Sequence, residues 1–143
     1  DRVRRGMIKL LINENDAIST FEIEFGDNDT LSAIIARLIK ADLLIILSDV
    51  NGLYNSDPNI NPDAKLISDV LELSKEHFDC ATGVTSNRGT GGMRTKLNAA
   101  SLCMERGIDM LLANGGNMNI IREIFEEDTE TGTLFHGKEN HNA

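Results

Sequence analysis

A chain of 143 residues, 41% hydrophobic and 26% charged, is large enough for one packed domain and has the composition of an ordinary globular protein. Its net charge of −9 argues against a nucleic-acid partner, because phosphate backbones need a basic face. The longest apolar run, Leu43 to Leu47, is far too short to span a bilayer, and no signal peptide is visible, so no membrane partner is expected.

Cys80 and Cys103 stand far apart in no metal spacing, which suits free thiols in a reducing cytoplasm. His77, His136 and His141 are scattered, and no metal site is predicted. The basic cluster Arg2, Arg4 and Arg5 at the start is assigned no function.

In chain order, Met7–Asn13 is a short apolar run that predicts a buried strand. Asn13-Glu14-Asn15-Asp16 follows, where a strand should end. It is either an Asx-rich turn or a polar site beyond a strand's carboxyl end, where open α/β sheets bind ligands. Phe21–Phe25 alternates with period two and predicts a half-exposed strand. Gly26-Asp27-Asn28-Asp29-Thr30 breaks it, and Leu31, Ile34, Ile35, Leu38 and Ile39 then recur at helical spacing. A helix needs one N-cap, and this stretch offers four candidates. The surplus carboxylates and amide either are solvated or hold a substrate amine, a metal or a lysine.

Asp42–Asp49 contains five consecutive aliphatic residues and predicts a central parallel strand, with Ser48 and Asp49 at its carboxyl end. The loop from Asn51 to Asp63 carries Gly52, Tyr54, Pro58 and Pro62. A short strand is predicted in Lys65–Val70 and weak helix in Leu71–Cys80. A helix is predicted over Met93–Arg106, with Leu97, Ala100, Cys103 and Met104 facing inward and Gly107 as its stop. Ile108–Ala113 predicts another strand, Asn114–Asn117 a turn, Asn119–Phe125 a short helix, and Gly132–Phe135 a last strand.

Gly89-Thr90-Gly91-Gly92-Met93-Arg94-Thr95-Lys96 is the stretch with the most chemistry. A glycine-rich turn feeding a helix aims unpaired N–H groups and the positive end of the helix dipole at one point, which suits an anion such as phosphate. Lys96 lies about one turn into the helix, within reach of the same anion. The order Thr95-Lys96 is not that of a Walker A loop, and the glycine spacing is not that of a Rossmann fingerprint.

Four stretches together resemble the glutamate 5-kinase family, a branch of the amino-acid kinases. They are Asn13–Asp16, Phe25–Asp29 with the following Leu-Ser-Ala, Leu47-Ser48-Asp49 with Gly52-Leu53-Tyr54, and Gly89–Lys96, closed by Gly132-Thr133-Leu134-Phe135. The resemblance implies a three-layer αβα sandwich around a mainly parallel sheet, with residues 1–137 forming the C-terminal, nucleotide-binding part of a kinase domain and 138–143 a polar tail. It implies phosphorylation of the γ-carboxylate of glutamate by MgATP, towards proline. On this reading Asn13, Asp16, Asp27 and Asn28 bind glutamate. Ser48, Asp49, Thr90, Gly91, Gly92, Met93, Arg94, Thr95 and Lys96 bind ATP. Lys96 and Asp29 are catalytic, Lys96 bridging towards the transferred phosphoryl group and Asp29 organising lysine. Mg2+ arrives with the nucleotide. The glycine/serine-rich loop with a lysine that opens such kinases has no counterpart before Leu11. The domain is therefore expected to be incomplete, inactive alone, and paired with further copies to cover its sheet. Other amino-acid kinases, or a non-catalytic nucleotide-binding or oligomerisation module, are the alternative readings.

Overall fold

The computed structural model describes residues 9–12, 28–82, 92–126 and 131–138, the first of these as backbone alone. The predicted strand at Phe21–Phe25, the glycines Gly89 and Gly91, and the tail from 139 lie outside the described residues. A five-stranded sheet runs in the order β1-β2-β4-β5-β3. Its strands are β1 (Lys9–Ile12), β2 (Leu43–Ser48), β3 (Asp69–Val70), β4 (Asp109–Asn114) and β5 (Thr133–Phe135). β1, β2 and β4 are mutually parallel, with Leu10 opposite Leu44 and Leu44 opposite Met110. β5 turns back antiparallel to β4 and carries β3 parallel on its outer side. The sheet is thus mainly parallel, as its continuous aliphatic strands suggest.

Four helices accompany it: α1 (Asn28–Leu38), α2 (Lys75–Thr82), α3 (Met93–Met104) and α4 (Ile120–Phe125). Side chains of β2 and β4 alternate between two cores. Leu44, Ile46, Met110 and Leu112 join Ala33 and Ala36 of α1 and Leu97, Ala100, Cys103 and Met104 of α3 on one face. Leu43, Ile45 and Leu111 form a smaller cluster on the other, against Ile124 of α4. The inward stripe expected of α3 is buried, with Ala99 added to it. Burial also pushes the Cys103 thiol up to about 12, against a smaller opposing effect of the Arg37 guanidinium, so this thiol stays protonated at neutral pH.

α1 departs from its aliphatic pattern. Its buried residues are the small ones, Ser32, Ala33 and Ala36, whereas Leu38 is 77% exposed. Small residues let α1 lie close beside α3, and the aliphatic stripe is left on the opposite side of the helix. The helix ends with Lys40 at φ 54°, where Ala41 N–H donates to the Ala36 carbonyl. α3 ends by the same device, with Gly107 at φ 72° and Ile108 N–H donating to Cys103.

Two other elements are shorter than the sequence suggests. Only Asp69 and Val70 of the 65–70 run pair in the sheet, because their partner β5 spans three residues. α2 starts at Lys75 and not near Leu71, since Ser74 and His77 close a capping box: Ser74 N–H donates to His77 Nδ1 at 3.0 Å. Among the described residues no helix is long and apolar enough to cross a membrane.

Candidate active site at the carboxyl edge of the sheet

α1 leads into β2 and α3 leads into β4, so both helices begin at the edge where those parallel strands end. The same edge receives Ser48 and Asp49 from β2 and Asn114 from β4. Ligands of open α/β sheets bind at such an edge.

The α1 and α3 N-termini meet through side chains. Lys96 Nζ lies 3.1 Å from Asp29 Oδ2, and Thr95 Oγ1 lies 2.9 Å from the same oxygen. Thr95 Oγ1 is also 2.8 Å from the Gly92 carbonyl oxygen, so its single proton serves two acceptors. The ion pair is largely shielded, with the Lys96 and Asp29 side chains 12% and 15% exposed. A shielded lysine needs a counter-charge, and Asp29 supplies it from the first turn of α1. Ser32 Oγ donates to the Asp29 carbonyl at 2.7 Å and fixes that turn. Gly92, at the start of α3, has no side chain with which to cap the helix, so its first N–H groups face outward beside Lys96. The cluster pairs a fixed cation with a helix N-terminus, which is chemically an anion site.

The second cluster lies where β2 ends. Ser48 is half-buried, Asp49 is exposed, and Ser48 Oγ lies 3.2 Å from Asp49 Oδ1. Asn114 and Gly115, which the sequence shows only as a turn, reach across to this strand end. Gly115 N–H donates to the Ser48 carbonyl at 2.8 Å, and Asn114 Nδ2 donates to Asn51 Oδ1 at 3.0 Å. Their position after a parallel strand was the available signal, since it marks β4 as it marks β2. Thr133 of β5 was also not singled out. Its Oγ1 is fully buried, accepts from Leu53 N–H at 2.9 Å and donates to the Ile67 carbonyl at 2.6 Å. It ties both ends of the loop that follows Ser48–Asp49.

Of the other residues singled out, Gly92 and Met93 are half-buried and Arg94 is exposed at the start of α3. Asn28 opens α1 and is exposed. Asn13, Asp16, Asp27, Thr90 and Gly91 lie outside the described residues. Among the described residues, no group of three or more His, Cys, Asp or Glu gathers to hold a metal.

Residues 2–114 match the model of the amino acid kinase family. The chain belongs to the amino acid kinase family. Among curated members it is 51% identical over 140 residues to a glutamate 5-kinase of Clostridium perfringens, covering 95% of this chain and 51% of that one. It is 54% identical over 125 residues to a glutamate 5-kinase of Clostridium acetobutylicum, covering 87% of this chain and 46% of that one. The chain therefore spans about half the length of the curated relatives it matches, at 51% and 46%. Among solved amino acid kinase structures, a UMP kinase from Bacillus anthracis superposes with TM-score 0.55 at 20% identity, over 80% of this chain and 42% of that one, a likeness of fold. The three-layer reading of the sequence is that family's architecture.

Proposed function

We propose that this chain is the nucleotide-binding half of a glutamate 5-kinase, which transfers the γ-phosphoryl group of ATP to the γ-carboxylate of glutamate. The observation that carries the reading is the shielded Lys96–Asp29 pair at the uncapped start of α3, with Thr95 on the same carboxylate. The half-length match to relatives bearing that name supports the substrate.

Phosphoryl transfer asks for positioning and for positive charge on the transferred oxygens more than for covalent help. Lys96 supplies the charge, and Asp29 keeps it in place while Thr95 braces the carboxylate. The segment Thr90, Gly91, Gly92, Met93, Arg94 and Thr95 turns backbone N–H groups towards the nucleotide phosphates. Ser48 and Asp49 contact the nucleotide from β2. Asn13, Asp16, Asp27 and Asn28 hold glutamate, with the Asp16 carboxylate on the α-ammonium. A glutamate γ-oxygen attacks the γ-phosphorus, the bond to the β,γ-bridging oxygen breaks, and ADP leaves with that electron pair. No general base is needed, because the nucleophile is already ionised at neutral pH.

Mg2+ enters with the nucleotide. It keeps much of its water and is held mainly by phosphates, and the described residues present no carboxylate cage for it. Asp29 is engaged by Lys96 and Thr95. The free thiols Cys80 and Cys103 support a cytoplasmic setting. The exposed apolar residues Leu38 and Ile39 of the α1 end support association with further copies.

The test is acceptor chemistry. The chain is mixed with the amino-terminal half of the Clostridium perfringens relative, and hydroxylamine is added with MgATP and glutamate. An acyl phosphate is expected to be trapped as a hydroxamate, dependent on glutamate and on both halves. Phosphorylation of UMP with no hydroxamate would refute the substrate assignment.

A further inference from the structure

Asp49 is exposed at the end of β2, so burial does not fix it, and the turn that presents it is held from β4. Gly115 N–H donates to the Ser48 carbonyl at 2.8 Å. A Cβ on Gly115 would stand 3.0 Å from the Leu47 Cβ, so the two strand ends are in close contact. Asn114 completes the join. Its Oδ1 accepts from Gly116 N–H at 2.8 Å, which shapes its own turn, and its Nδ2 donates to Asn51 Oδ1 at 3.0 Å. Asn51 in turn donates from Nδ2 to Tyr54 Oη at 3.3 Å.

Both ends of the Asn114 amide are thus committed, one to its own backbone turn and one to Asn51. Asn51 is exposed. A neutral hydrogen bond to an exposed amide adds only about 1 kcal/mol to stability. Its larger consequence is local, because it selects one arrangement of the two residues that follow Ser48–Asp49.

We propose that Asn114 is a positioning residue for the nucleotide site, acting through Asn51 to hold the Ser48–Asp49 turn in its ligand-competent form. The inference rests on the reading of Ser48 and Asp49 as nucleotide contacts. Asn114 need not touch the nucleotide. Its effect falls on nucleotide affinity and on the mobility of the turn.

The test titrates the chain with a non-hydrolysable ATP analogue and Mg2+, and follows amide hydrogen exchange at Asp49–Asn51 without nucleotide. Asn114→Ala is expected to weaken nucleotide binding about 3- to 10-fold, the loss of one such bond, and to speed exchange at those amides. Asn51→Ala should do the same, and the double variant should be no worse than either single one. Asn114→Asp keeps an acceptor for Gly116 N–H and can accept from Asn51 once that amide turns over, so it should recover most of the affinity. If Asn114→Ala fails to fold, Asn51→Ala, at an exposed position, carries the comparison. A parent chain that binds nucleotide while Asn114→Ala or Asn51→Ala binds equally well overturns this inference alone. Single effects that simply add also overturn it. A folded parent chain that binds no nucleotide overturns the proposed function, and this inference with it.

Discussion

Lys96→Ala is expected to slow phosphoryl transfer about 10²- to 10³-fold in the kinase reconstituted with the complementary half, the usual loss on deleting one preorganised charge at a reacting oxyanion. The glutamate requirement should change far less, because Lys96 pairs with Asp29 at the start of α3 and is assigned to the phosphoryl group. Lys96→Arg separates charge from geometry. It keeps a cation but replaces a compact ammonium with a planar fork, so it should recover part of the rate. Steady-state rates by hydroxamate formation check both variants. An unchanged rate in Lys96→Ala would remove Lys96 from the chemistry and leave the ion pair a structural tie between two helices.

The largest effect on folding is expected from Gly132→Ala. Gly132 sits at φ 73°, which costs a residue with a Cβ about 1–2 kcal/mol. The added carbon would also run into the Leu112 carbonyl oxygen, which is backbone and cannot step aside. Together these should cost about 3–5 kcal/mol, a large share of the stability of a small domain. The damage would not stay local. Gly132 leads directly into Thr133, whose hydroxyl ties Leu53 and Ile67 at the two ends of the Ser48–Asp49 loop. Denaturant unfolding measures the loss. A midpoint within error of the parent would show that β4 and β5 can separate at Gly132 without penalty.

Much of this fold is legible in the chain because its strongest patterns are unambiguous. The aliphatic run of β2 can only be a doubly buried strand, and the stripe Leu97, Ala100, Cys103 and Met104 can only face a core. Asp29 and Lys96 are 67 positions apart, and nothing in their spacing shows that they meet. That contact depends on α1 and α3 lying side by side, which the small residues Ala33 and Ala36 permit and which the aliphatic stripe beside them disguises. The antiparallel turn of β5 onto β4 was equally hidden, since three residues carry no signal of strand direction. Asn114 reads as an ordinary turn residue until β4 is placed next to β2. Local pattern reports elements, whereas the pairing of two elements' ends is a property of the assembled sheet.

The most direct test of the central claim is a calorimetric titration of the folded chain with a non-hydrolysable ATP analogue and Mg2+, beside the same titration of Lys96→Ala. A phosphate site built on Lys96 and the start of α3 predicts saturable binding by the parent and at least about tenfold weaker binding by the variant, the loss of one charged contact. A folded parent that gives no binding heat, or a variant that titrates like the parent, would contradict it.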